Sequence, residues 1–177
     1  MYQYQNIYQI PAVSNTISPN QQREAWLQFH NNARLNAGVS PLVWNNQLEL
    51  DAKNYANRCT FQHSDIAKKA LVGENISQGV PFEKYNSIHA IFNGWMSERN
   101  NCPSIDPHLI GHYTQIINPR VNEVGCACSR CNYTTGLNPE NNALICLCRY
   151  DQIQNLDEIY CNKSYPLLSS DAIPLRE

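Results

Sequence analysis

The sequence predicts an α+β sandwich built as one disulfide-stapled domain, and three observations carry that prediction. Helix-like segments come first and a strand hairpin comes last, an order that places mixed layers around one core. Eight cysteines, at positions 59, 102, 126, 128, 131, 146, 148 and 161, form an even set of the kind found in oxidising compartments. Two pairs of them can face each other in one antiparallel register, because the numbers of Cys126 and Cys148, and of Cys128 and Cys146, both sum to 274. Facing residues in such a ladder sit about 4.5–5.5 Å apart at Cα, which a disulfide tolerates. The competing reading, a thiolate zinc knuckle, finds a single Cys-x-x-Cys, Cys128 to Cys131, where two are usual.

Residues 1–17 are polar and aperiodic and are expected to form an extended arm. The first helix opens at the cap Ser18, with Pro19 at its first position, and stops near Gly38. Trp26, Phe29, Ala33 and Ala37 recur every three or four residues and make its apolar face. A second helix is expected from Asn46 to Cys59, burying Leu48, Ala52, Tyr55, Ala56 and Cys59. Residues 60–85 read as irregular, with Gly73, Gly79 and Pro81 as breakers. A third helix over 84–100 buries Ile88, Ile91, Phe92 and Trp95, and a short fourth over 107–117 stops before Pro119. Strands at Glu123 to Cys128 and Ala143 to Tyr150 close the hairpin around a loop with Gly136 and Asn138-Pro139. The domain therefore spans 18–161, followed by a tail over 162–177.

Composition narrows the function classes. A chain of 177 residues with a formal charge of −2 shows no clustered basic surface for nucleic acid. Every apolar run is interrupted well short of the roughly 20 residues that span a bilayer. The start, Met-Tyr-Gln-Tyr-Gln-Asn, shows no signal peptide, so a mature secreted chain behind an added Met1 is expected. Sequons at Asn75, Asn132 and Asn162 add little in a chain with 23 Asn.

Five histidines are present, and His30 and His89 read as ordinary hydrogen-bonded residues. His108 and His112 have the spacing of a helical metal pair, weakened by Gly111 between them. His63 precedes Glu74 by eleven residues and His112 precedes Glu123 by eleven, each in polar, irregular or helix-terminal surroundings that suit a cleft wall.

Six ordered motifs between about 24 and 150 resemble the CAP superfamily of cysteine-rich secretory, antigen-five and pathogenesis-related proteins. Gly111-His112-Tyr113-Thr114-Gln115-Ile116-Ile117 with Glu123-Val124-Gly125-Cys126-Ala127 is similar to the first signature, and Cys148-Arg149-Tyr150 to the second. Cys59-Thr60-Phe61-Gln62-His63-Ser64 resembles the Cys-x-x-x-His-Ser element and Gly73-Glu74-Asn75-Ile76 the Gly-Glu-Asn element. His30-Asn31 with Arg34 matches the opening helix, and Trp95 with Glu98 the third. The chain departs from the pattern at Asn118, where Trp is usual, at Ile110, where Cys is frequent, and in the run after Tyr150.

The resemblance implies a three-layer α-β-α sandwich with a small antiparallel sheet. It implies a cleft formed by His63, Glu74, His112 and Glu123, in which His63 and His112 bind zinc or another divalent cation weakly. It also implies disulfides Cys59 to Cys131, closing about 70 residues and worth about 4 kcal/mol, and Cys126 to Cys148. Register adds Cys128 with Cys146, and elimination leaves Cys102 with Cys161. The function expected is a secreted, non-enzymatic binding or effector module, monomeric or weakly dimeric, for an extracellular lipid, glycan or protein receptor. Val80-Pro81-Phe82 with Tyr85 is the local candidate for lipid, or simply caps the third helix. The alternatives are a zinc-dependent hydrolase with Glu74 or Glu123 as general base, and a remnant cleft on a disulfide-rigid interaction surface.

Overall fold

A computed structural model of the chain describes residues 18–69, 71–102, 104 and 106–153. The expected arm over 1–17, the tail over 162–177 and Cys161 lie outside these residues.

Helix α1 runs Pro19–Asn36, opened by a capping box in which Ser18 accepts from the Gln21 amide while the Gln21 side chain accepts from Ser18. Gly38 follows at φ 71°, the left-handed backbone that favours glycine after a helix. Strand β1 is the two residues Val43–Trp44, and α2 is Asn46–Ala56, capped by Asn45. The helix ends three residues earlier than expected. Cys59 sits beyond it at φ 53°, entering strand β2, Thr60–Phe61. One turn of helix, α3, covers Asp65–Lys68, and strand β3 covers Gly73–Gly79. That strand corrects the irregular reading of 60–85: its polar, glycine-bounded sequence carries little strand signal, and its ladder with the last strand supplies the order.

Helix α4 is Ile88–Ser97, capped by Ser87, and continues as a 3-10 turn over Glu98–Asn101. Helix α5 is Pro107–Ile116, with Asp106 accepting from the His108 amide, and it stays helical through Gly111. Strands β4, Glu123–Tyr133, and β6, Asn141–Tyr150, flank the short β5, Thr135–Gly136. The sheet order is β1-β4-β6-β3. β6 is antiparallel to both neighbours while β1 is parallel to β4, so the sheet is mixed rather than wholly antiparallel. β2 and β5 pair separately.

Because side chains alternate across a strand, central β6 serves two cores. Leu144, Cys146, Cys148 and Tyr150 face α1, α4 and α5, against Trp26, Phe92, Trp95 and Ile116. Ile145 and Leu147 face α2, against Ala52, Tyr55, Ala56 and Ile76. The result is the three-layer α-β-α sandwich. The β4–β6 ladder pairs Cys126 with Cys148 and Cys128 with Cys146, the register with the constant sum of 274, and both pairs are disulfides. Cys59 and Cys131 form a third, 72 residues apart in sequence. Cys102 is also disulfide-bonded.

Gly125 fixes how closely α2 approaches the sheet: a Cβ there would lie 2.1 Å from the Glu49 amide nitrogen and 2.6 Å from the Leu48 carbonyl carbon. Arg34 ties α1 to the chain after α5, with Nη1 donating to the Ile116 and Asn118 carbonyls and Nη2 to that of Val121. Among the described residues no helix is long and apolar enough to cross a membrane.

Candidate functional site: a histidine and carboxylate cleft

In β3, Glu74 faces Arg149 of β6, and Asn75 faces Cys148, so the two β3 side chains leave opposite sides of the sheet. Glu74 turns toward the segment before α3. Its Oε1 accepts from His63 Nδ1 at 2.7 Å and from the Ser64 amide at 3.0 Å, and its Oε2 accepts from Ser64 Oγ at 2.7 Å and Arg149 Nη1 at 2.5 Å. The Ser64 hydroxyl in turn accepts from Arg149 and from the Ala67 amide, capping α3. Burial alone would raise the Glu74 carboxyl, and the donors from His63 and Ser64 with the Arg149 charge outweigh it and hold the group below the ordinary carboxylate value. Arg149 also stacks over Tyr55, its guanidinium carbon 5.4 Å from the ring centre.

Asn75 turns the other way and donates to the His112 carbonyl at 3.0 Å and to the Tyr150 hydroxyl at 3.1 Å. Its sequon amide is thus buried within the fold. Tyr150 meets His30 Nε2 at 2.9 Å, while His30 Nδ1 donates to the Trp26 carbonyl at 2.8 Å. Burial pulls the His30 pKa down to about 4, so the ring is neutral and Tyr150 donates to it.

His112 is held on the α5 face by a carboxylate from a different element. Glu98, where α4 passes into the 3-10 turn, accepts from His112 Nδ1 at 2.5 Å and from the His112 and Tyr113 amides at 2.8 and 3.1 Å. The imidazole stacks on Trp95 with ring centres 5.7 Å apart and planes 17° from parallel. The two histidines are therefore built alike. Each Nδ1–H points at a carboxylate, which fixes the tautomer and leaves Nε2 with its lone pair. Among the described residues no hydrogen bond reaches either Nε2. His63 is 52% exposed and His112 31%.

His63, Glu74 and His112 line one cleft of about 350 Å³, together with Lys68, Asn75, His108 and Gln115. Glu123, the fourth expected member, is not among its lining residues. The physical reason is the strand order: β6 lies between β4 and β3, which separates Glu123 from Glu74 by two strand spacings, about 10 Å. The Glu123 carboxylate instead accepts from Asn45 Nδ2 at 2.8 Å, bracing the residue that caps α2. Glu98, which like Glu123 is not among the cleft's lining residues, is the carboxylate that holds His112 from behind. Its signal in the sequence was the Trp95 to Glu98 motif: the tryptophan supplies the stacking surface and the glutamate, one turn later, the carboxylate.

A second grouping, His30, Cys126 and Cys148, brings its potential ligand atoms within 4.8 Å of one another. Its two sulfurs are joined to each other, and a metal-binding sulfur is a thiolate. Both His30 nitrogens are also engaged, so this group could take a metal only after reduction. The cleft fits a cation better, with neutral imidazole nitrogen as a borderline ligand and carboxylates behind it.

The family model described as cysteine-rich secretory protein family, CAP, matches residues 27–150. Protein lon-1 of Caenorhabditis elegans is 31% identical over 144 residues, covering 78% of this chain and 45% of its own length. Pathogenesis-related protein 1A1 of Solanum lycopersicum is 32% identical over 148 residues, covering 78% of this chain and 76% of its own. This chain thus spans less than half of the lon-1 protein. Among solved structures, NaASP2 with Zn2+ superposes with a TM-score of 0.59 at 18% identity, over 81% of this chain and 87% of that one.

Proposed function

The chain belongs to the cysteine-rich secretory protein family, and from that premise we propose that it is a secreted, non-enzymatic binding module whose His63 and His112 hold a divalent cation such as zinc. The carrying observation is the paired tautomer: Glu74 on His63 Nδ1 and Glu98 on His112 Nδ1 leave two Nε2 atoms on one cleft. NaASP2, which shares the fold, has been crystallised with Zn2+. With two protein ligands the site is open and weak, since a structural zinc takes four. When bound, the cation supplies a positive centre that an extracellular lipid, glycan or receptor group can complete.

The carboxylates favour binding over hydrolysis. A general base needs a lone pair within reach of the substrate proton. Glu74 is 0% exposed at its side chain and accepts from four donors, one of them Arg149. Glu98 accepts from three. Both orient imidazoles.

Calorimetric zinc titration tests the reading. Binding at pH 7.5 should be lost in the His63→Ala, His112→Ala double variant and should weaken at pH 5, where protons compete with the cation for imidazole nitrogen. Equal heats at both pH values, or in the double variant, would remove it.

A further inference from the structure

Helix α5 places a third imidazole on the same cleft. His108, Gly111, His112 and Gln115 all line it, and their spacing of three, four and seven defines one helical face. Side chains four apart on a helix have Cβ atoms about 5–6 Å from each other. Two histidines at that spacing form the chelating pair of many zinc helices. The weakness expected from Gly111 is absent: the helix starts at Pro107 behind the Asp106 cap and continues unbroken to Ile116. His108 is exposed, and its imidazole has no hydrogen-bond partner among the described residues. His112 is anchored by Glu98 and Trp95, and His63 faces the cleft from the segment before α3.

We propose that His108 joins His63 and His112 in a three-imidazole site for a borderline divalent transition-metal ion, zinc, cobalt or copper. The inference rests on the reading of the cleft as a cation site. Three nitrogen ligands from two chain segments make a firmer site than two, and still leave one position of a tetrahedron for an outside ligand. The exposed histidine is the mobile member. The ligand atoms of the three are not all within 4.8 Å of one another in the structure, so the site requires His108 to close on the anchored pair by side-chain rotation.

The test is zinc calorimetry on the full chain, with cobalt(II) absorption as a second readout, because four-coordinate cobalt absorbs far more strongly than octahedral cobalt. His108→Ala and His108→Gln should each bind zinc at least about tenfold more weakly, the lower end of what loss of even an outer-shell partner costs. Both should also lose the four-coordinate cobalt spectrum. Near-ultraviolet circular dichroism should match the wild type, since His108 is exposed. If both variants bind like wild type while His112→Ala loses binding, the three-imidazole site is overturned and the two-histidine site stands. If His63→Ala binds like wild type while the His108 variants do not, the ion sits on the helical pair alone and the proposal is again overturned. A wild-type chain that binds no zinc overturns both readings.

Discussion

Replacing Arg149 with Met isolates the charge that keeps Glu74 ionised. The guanidinium is 3% exposed and Glu74 0%, and Arg149 Nε has no partner among the described residues, so the pair acts through Nη1. The variant keeps most of the side-chain volume over Tyr55 and leaves a buried carboxylate with only His63 and Ser64 as donors. Breaking a buried pair from one side costs about 3–5 kcal/mol. At about 2–4 °C per kcal/mol for a chain of this size, that is a melting shift of roughly 6–20 °C.

The sign of the pH dependence follows from the lowered carboxyl of Glu74. A depressed folded-state value gives stability that is present above the unfolded value of 4.5 and is lost as pH falls through the folded value. Without Arg149, burial counts for more, the folded value rises, and protonation relieves the variant where it weakens the wild type. The stability gap should therefore be widest near pH 7 and narrow on acidification through about pH 4.5. Urea denaturation of the oxidised protein at pH 7 and pH 4 measures both gaps. A gap under 1 kcal/mol at pH 7, or one that does not narrow at pH 4, refutes the reasoning.

Two further outcomes separate the roles of neighbouring groups. Glu98→Gln should weaken zinc binding about 10–100-fold, the usual cost of losing a carboxylate behind a ligating histidine, whereas Glu123→Gln should leave zinc binding unchanged; titrating both variants checks which carboxylate serves the cleft. Gly125→Ala should cost about 1–3 kcal/mol by overpacking, because the added methyl meets the α2 backbone at Glu49 and Leu48, and a thermal melt reads the loss.

Local signals in the sequence accounted for the elements whose order is set locally. Ser18 and Pro19 announce α1, and the shared cysteine register announces the β4–β6 hairpin before any other evidence of a sheet. Strand β3 escaped notice because Gly73, Asn75, Ser77, Gln78 and Gly79 read as turn residues, and the partner that orders them lies about 70 residues away in β6. Both histidines and Glu74, the carboxylate on His63, could be named from motifs, but not the carboxylate on His112. The resemblance implied Glu123, and the equal spacing of eleven could not test it, since a distance along the chain says nothing about which edge of a sheet a residue reaches. Glu98 stands in the Trp95 to Glu98 motif, but its bond to His112 forms only when the end of α4 packs against α5, and the motif does not say which histidine it meets.

The disulfides divide the cleft unequally. The segment that carries His63 hangs from a two-residue ladder, β2 with β5, stitched by Cys59 and Cys131, whereas His112 rides on helices packed into the main core. The site thus works like a caliper with one jaw cast into the frame and the other held by a single rivet. A reductant withdraws the rivet, so thiol reagents and chelators are not independent probes of this protein. A cation titration in reducing buffer reads the loosened jaw, and the oxidised chain is the form in which the gap between the histidines has its set width.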